Sequence, residues 1–274
     1  MSLRARLGGV LAVASLSFRE SARNRVLHAL IGTMVFVCGL AYLYAWVAGG
    51  DTDPARLHKV VGDLSLSALV LLGTVASIFL GTNLVYQEVQ RRTVYTVLAR
   101  PLSRDGFLLG KYLGLAGVMG VAVAVMGLVF FVAYGLGAGP PTPGLLVAVV
   151  FVYVELLVVV AVALFFSVAA HPIEGAVFSF VVALAGHQTS SLLDLGKELL
   201  KPERHPGGAA RLGNWLLWAL YVVLPNLENF NLRGAAVYGM PITLGQVGFG
   251  LLYALVYVGL VLVLAGIVFR RRVL

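Results

Sequence analysis

The sequence predicts an all-α integral membrane bundle of six transmembrane helices. Of its 274 residues, 60% are hydrophobic and only 12% are charged, and the mean hydropathy is +0.95. Soluble globular domains are roughly 45–50% apolar and about 25% charged. Because the chain has so little charge, we expect the bilayer to solvate most of it, and we expect one transmembrane domain over residues 1–274.

Six apolar stretches are candidates for membrane spans. A helix needs about 20 apolar residues to cross about 30 Å of hydrocarbon. Five of the six stretches meet this requirement. The remaining one, 173–195, is weaker because its second half is polar. The predicted spans are 27–48, 64–86, 107–136, 145–168, 173–195 and 242–269. Residues 215–224 are too few to span, and they predict an interfacial or re-entrant helix within a long external loop, 196–241.

The charges of the loops predict the orientation. With the N-terminus inside, thirteen of the twenty Lys and Arg residues fall on the inner side, and the seven outer ones are balanced by seven acids. Inner loops of membrane proteins carry such an excess of Lys and Arg. We therefore expect both termini in the cytoplasm. Anionic lipid and a cytoplasmic partner account for the basic charge without any nucleic acid.

The first 26 residues mix arginines with apolar residues at helical spacing. Such a pattern predicts a basic amphipathic helix in the membrane interface. This helix is either a simple anchor or an element that also helps to seat a cytoplasmic partner. The predicted apolar face consists of Leu3, Leu7, Val10, Leu11, Ala14 and Phe18.

The cytoplasmic loop 87–106 predicts a short amphipathic helix from Glu88 to Ala99. Pro101 would end it, because the residue before a proline is disfavoured in the helical conformation. The apolar side of this helix includes Val94 and Leu98. A binding partner would cover that side, or the helix lies flat on the bilayer.

Small residues recur every four positions on the second and third predicted spans. Gly73, Ser77 and Gly81 form one such stripe, and Gly110 and Gly114 form a GxxxG pair. Small faces allow transmembrane helices to approach closely. The stripes pack within the chain, or one of them joins a second copy and lines a path in which Ser77 would be a polar group.

Glu155 lies midway along the fourth predicted span. An ionisable residue at this depth is costly and indicates a functional or structural site. We expect its carboxylate to contact the polar stretch of the fifth span, although the same polar residues would also suit a substrate cavity. The candidate partners are His187, Gln188, Thr189, Ser190 and Ser191.

The sequence gives no sign of catalysis. At the Gly-Lys pair Gly110-Lys111, Asp105 stands where a phosphate-binding loop needs glycine. The five histidines are scattered, and none has the spacing of a metal site. We expect no enzyme activity, no metal and no cofactor on this chain.

Three segments resemble the type-2 ABC transporter permease family. They are the loop EVQRRTVYTVLARPLSR with the following GKYLG, the entry FRESARNRVL and the external LPNLENFNLR at 224–233. The subgroup that it resembles includes the permease for nitrous-oxide-reductase maturation. The resemblance covers essentially the whole chain.

This resemblance implies the membrane subunit of an ABC exporter in a prokaryotic cytoplasmic (inner) membrane. Two copies of a separate cytoplasmic ATPase would bind ATP and Mg²⁺, and a second permease copy, identical or paralogous, would complete a dimer. The loop 87–106 would be the coupling helix, and the turn at 171–174 would be a smaller second contact. The implied docking residues are Glu88, Arg91, Arg92, Thr93, Tyr95 and Arg100, with His171 and Glu174 in the turn.

Two other function classes fit the same composition. A membrane anchor or scaffold would recruit a cytoplasmic protein through the same basic loop without transporting anything. A secondary transporter often contains inverted repeats, and no internal repeat is evident in the chain.

Overall fold

The protein is all-α over the residues that the computed structural model describes. These are residues 3–48, 54–90, 103–137, 140–189 and 223–272, with positions 191, 194, 213, 215, 218 and 221. The helices are α1 (Leu3–Ala22), α2 (Arg25–Ala48), α3 (Pro54–Gln90), α4 (Arg104–Gly137), α5 (Pro143–Ala169), α6 (Pro172–Gly186), α7 (Arg233–Val237) and α8 (Leu244–Arg272), with a 3₁₀ turn at Leu227–Phe230.

Five of the helices are long and apolar enough to cross a membrane, namely α2, α3, α4, α5 and α8. They coincide with the five clear predicted spans. Helix α3 is longer than predicted, with 37 residues. Its end includes Glu88, so the first residues expected in a separate coupling helix continue α3. The rest of that predicted helix lies outside the described residues.

The fifth predicted span differs from the expectation. Helix α6 has 15 residues, which corresponds to about 22 Å at 1.5 Å per residue. This is less than the roughly 30 Å of a hydrocarbon core. His187 and Gln188 form a turn directly after Gly186. Because α6 alone is too short to span, the count of six remains a prediction.

Helix α5 is the centre of the bundle, and α3, α4, α6, α7 and α8 all pack on it. Its sequence is rich in valine, which forms helices poorly in water because its side chain loses rotamer freedom. In lipid the backbone has no water to bond, so the helix forms regardless. Pro143 occupies its first turn, where the missing N–H costs no hydrogen bond.

Helix α1 packs along the beginning of α4, at the GxxxG pair. A Cβ atom on Gly114 would lie 2.6 Å from the carbonyl oxygen of Ala14 and 2.6 Å from Cβ of Ser17. The predicted apolar face is only partly the packing face, because Leu7 and Leu11 are exposed while Ser17 is buried. The close approach admits only small side chains, so the leucines point away from α4.

The stripe on α3 packs on α5 within the same chain. A Cβ on Gly73 would lie 2.5 Å from Cδ1 of Leu156, and one on Gly81 would lie 2.6 Å from Cβ of Ala163. Ser77 lies between these two positions and is fully buried. The two glycine contacts therefore correspond to packing inside the chain rather than to a face left open for a second copy.

Candidate functional site

Most of the predicted coupling residues lie outside the described part of the chain. Arg91, Arg92, Thr93, Tyr95 and Arg100 belong to this group. The backbone of Glu88 is in the last turn of α3. Docking of an ATPase on this loop therefore remains a prediction from the sequence.

The second predicted contact, the turn between α5 and α6, is fully described. Helix α5 ends at Ala169, and α6 starts at Pro172 after an extended His171. The backbone N–H of His171 donates to Oε2 of Glu174 at 3.4 Å, which ties the start of the helix to the turn. Both residues are exposed, and Ile173 between them is 80% exposed. The turn thus presents one large apolar side chain between two polar ones.

Glu155 and His187 are in contact across α5 and α6. Nε2 of His187 lies 3.2 Å from Oε1 of Glu155, and only 1% of Glu155 is exposed. His187 is the first residue after α6, and its backbone N–H donates to the carbonyl of Ala183. The tertiary structure therefore brings the buried acid to the polar stretch, as expected from the sequence.

The other polar candidates have different surroundings. Gln188 is exposed, and Thr189 donates its hydroxyl to the carbonyl of Gly186 at 2.8 Å. The hydroxyls of Thr74 and Ser77 on α3 are buried and have no hydrogen-bond partner among the described residues. A role of Gln188 or Ser77 in a transport path remains a proposal.

The segment 223–233 packs into the bundle beside α6 and α8. A Cβ on Gly186 would lie 2.5 Å from the carbonyl oxygen of Pro225, so only glycine fits there. Leu227 and Phe230 are buried in one apolar cluster with Val158, which lies near the middle of α5. Irregular backbone at such depth is tolerated where protein buries it.

Two tyrosines of α8 hold this segment by its backbone. Tyr253 accepts the N–H of Asn226 at 2.8 Å, and Tyr257 donates its hydroxyl to the carbonyl of Val223 at 3.0 Å. The sequence predicts an interfacial or re-entrant helix at 215–224. Positions 215, 218, 221 and 223 are helical and exposed, and most of the other positions lie outside the described residues. The inserted element that the structure shows is 225–230, and its signal in the sequence is the alternation of Asn with Leu and Phe.

Helix α3 also holds the end of this segment. Nη1 of Arg233 donates to Oγ of Ser67 at 3.2 Å, and Nε of the same guanidinium donates to Asn231 at 3.0 Å. Nζ of Lys59 lies 5.3 Å from the ring centroid of Tyr238. The segment 223–233 is thus attached to α3, α6 and α8 at once.

The chain belongs to a known family of transport proteins. The family model described as ABC-2 family transporter protein matches residues 11–274, nearly the whole sequence. No curated protein matches the sequence closely enough to be counted as a relative. The chain is therefore a membrane component of an ABC transporter. It is not itself catalytic, and a separate ATPase hydrolyses the ATP.

Proposed function

We propose that this ABC-2 family member is the permease subunit of an exporter, driven by two copies of a cytoplasmic ATPase. The observation that carries the proposal is the placement of α6. One end of α6 presents the exposed Ile173, and the other end places His187 on Glu155. A single short helix thus connects two features. At its start is an exposed surface that suits a partner, and at its end is a buried polar contact within the bundle.

The exposed side chains of the turn fit a protein partner. A large apolar side chain that is 80% exposed loses solvent-accessible area when a groove covers it. His171 and Glu174 flank it with polar groups. The basic loop 87–106 would supply the larger docking surface, with Arg91 and Arg92 as its central charges.

Movement of the turn would reach the external segment through α6. Gly186 at the end of α6 packs directly against Pro225, so a shift of α6 would also move that segment. Packed elements of this kind shift between discrete arrangements rather than deform continuously. ATP binding would favour one arrangement to the extent that the ATPase binds it more tightly than the other.

A second permease copy would complete the transporter, and the substrate would pass between the two halves. The outward faces of α2, α4, α6 and α8 carry most of the exposed apolar side chains, so they contact lipid or the second copy. The similarity to the subgroup for nitrous-oxide-reductase maturation is part of this proposal. It does not specify the substrate.

The test is co-purification of the tagged chain from its native membrane in mild detergent, with ATP hydrolysis as the readout. We expect an ATPase to accompany the wild type and to be lost from the double variant Arg91→Glu/Arg92→Glu. Arg204→Glu/Arg211→Glu makes the same change of charge in the external loop and serves as the matched control. This control should retain the ATPase.

Other outcomes would point to the alternative functions. A co-purified cytoplasmic protein without ATPase activity would favour a scaffold. Purification of the chain alone, with transport supported by an ion gradient in vesicles, would favour a secondary transporter. Retention of the ATPase by the inner double variant would contradict the assignment of the coupling loop.

A further inference from the structure

An apolar groove lies between the beginning of α4 and the end of α8. Its volume is about 410 Å³. Leu109 and Val263 are partly exposed on its walls, so the groove opens towards the surrounding bilayer. The lining residues are Asp105, Leu108, Leu109, Leu262, Val263, Gly266, Ile267 and Arg270.

Basic side chains surround one end of this groove. Arg270 donates through Nε to Asp105 at 3.2 Å, and its Nη2 also contacts that carboxylate. Arg104 donates one N–H to the carbonyl of Arg270 at 3.2 Å, and Arg271 is exposed beside it. The charge of Asp105 is thus balanced by Arg270, and Arg104 adds a further guanidinium group, so this end of the groove has an excess of positive charge.

A second groove of nearly equal size provides an internal comparison. It lies between α2 and the end of α4 and has a volume of about 390 Å³. Its lining residues are Val35, Cys38, Gly39, Tyr42, Leu128, Val129, Val132, Ala133 and Leu136, and none of them is charged. The two grooves offer similar apolar space, but only the first combines it with cationic groups.

We propose that the groove between α4 and α8 binds one anionic phospholipid. An acyl chain would occupy the apolar part, and the phosphate would lie against Arg104 and Arg271. Guanidinium groups bind phosphate oxygens through paired, charge-assisted hydrogen bonds. The distribution of Lys and Arg in the loops places this end of the groove at the cytoplasmic leaflet, whose anionic lipids attract basic residues near the membrane.

The shape of the site selects a lipid over a soluble anion. A free phosphate would use the arginines but would leave the apolar walls without a partner. A lipid without net charge would contact the apolar walls but would gain no attraction from the excess positive charge. The proposal concerns lipid binding alone, so it stands or falls independently of transport and of the ATPase.

The experiment is native mass spectrometry of the purified full-length chain with phosphatidylglycerol or phosphatidylcholine. We expect the wild type to bind one phosphatidylglycerol more tightly than phosphatidylcholine. A basic residue near an anionic membrane contributes enough attraction for about a fivefold change in affinity. Arg104→Gln and Arg271→Gln should therefore each reduce the preference about fivefold, and the double variant should nearly abolish it.

Two tryptophan variants test the groove itself. Val263→Trp should block the acyl chain and remove the tightly bound lipid, while Val132→Trp fills the uncharged groove and should leave the preference unchanged. Both positions are exposed, so folding should survive, as a symmetric size-exclusion peak would show.

Three results would overturn the proposal. Equal binding of both lipids by the wild type would reveal an ordinary annular contact. If the double arginine variant kept the preference for phosphatidylglycerol, that preference would not depend on Arg104 and Arg271. Displacement of the lipid by excess inorganic phosphate would show a soluble anion to be the better ligand.

Discussion

His187, at the end of α6, contacts Glu155 in the middle of α5 with 3.2 Å between Nε2 and Oε1. The acid is buried, whereas 28% of the imidazole side chain is exposed. The pair therefore lies where the protein interior meets a more accessible space. It also connects α6, which begins at the turn after α5, to the middle of α5, the central helix of the bundle.

The first prediction concerns this contact. Glu155→Gln should be tolerated because an amide still offers a hydrogen-bonding oxygen, whereas Glu155→Leu should destabilise the fold by about 1–3 kcal/mol by leaving a polar partner unsatisfied. Chemical unfolding in detergent measures the difference. Glu20→Leu, at an exposed position on α1, is the control for loss of a carboxylate. Equal unfolding of the two Glu155 variants would remove the contact from any structural role.

The second prediction concerns the close approach of α1 to α4. Gly114→Ala should destabilise the protein by about 1–3 kcal/mol, because the added Cβ meets backbone and Cβ atoms that cannot turn aside. Gly259→Ala on α8 is the matched control, since nothing lies within 4 Å of its Cβ position. In unfolding experiments the control should be neutral or slightly stabilising, because alanine favours helix over glycine. If both variants lost the same free energy of unfolding, the effect at Gly114 would not come from the packing of α1 on α4.

The third prediction concerns the turn between α5 and α6. Ile173→Asp should weaken co-purification of the ATPase, because the exposed isoleucine would no longer contribute apolar area to the contact. Met240→Asp changes a similarly exposed apolar residue at the opposite end of the bundle and should have no effect. The ratio of ATPase to permease on a stained gel is the measurement. Unaltered co-purification of the Ile173 variant would restrict docking to the loop 87–106.

The fourth prediction concerns the inserted segment. Tyr257→Phe removes the hydrogen bond to the carbonyl of Val223, and the loss should be about 0.5–1.5 kcal/mol. Hydrogen exchange of residues 223–230 should then be faster, while exchange within α5 should not change. Tyr44→Phe, an exposed position on α2, is the control for loss of a hydroxyl. Slow exchange in the Tyr257 variant would show that packing of Leu227 and Phe230 alone holds the segment.

Much of the fold follows from local sequence. The five clear spans were predictable because a transmembrane helix satisfies its own backbone hydrogen bonds, so length and hydropathy suffice to find it. Helix α6 ends at Gly186, so a turn at His187 and Gln188 interrupts the predicted fifth span. Thr189, Ser191 and Asp194 are helical again, and the neighbouring Pro225 segment packs against Gly186.

The inserted element at 225–230 could not be predicted from the sequence, for a different reason. Trp and Tyr residues at 215–224 indicate membrane contact by composition, whereas insertion of 225–230 depends on bonds from Tyr253 and Tyr257 on a distant helix. Similarly, Asp105 and Arg270 are separated by most of the chain, and nothing in their own neighbourhoods pairs them.

The sequence by itself determined that the chain is a helical membrane protein, where its long helices lie and which small or ionisable residues needed an explanation. These properties are local, because each follows from the free energy of moving one segment into lipid. Only the tertiary structure decided that α1 packs against the glycines of α4, that α5 packs against the stripe on α3 and that Glu155 contacts His187. The physical reason is that a small face permits close contact without specifying the partner, and a buried acid requires a polar contact that several side chains would satisfy. The choice among them is made by packing of the whole bundle.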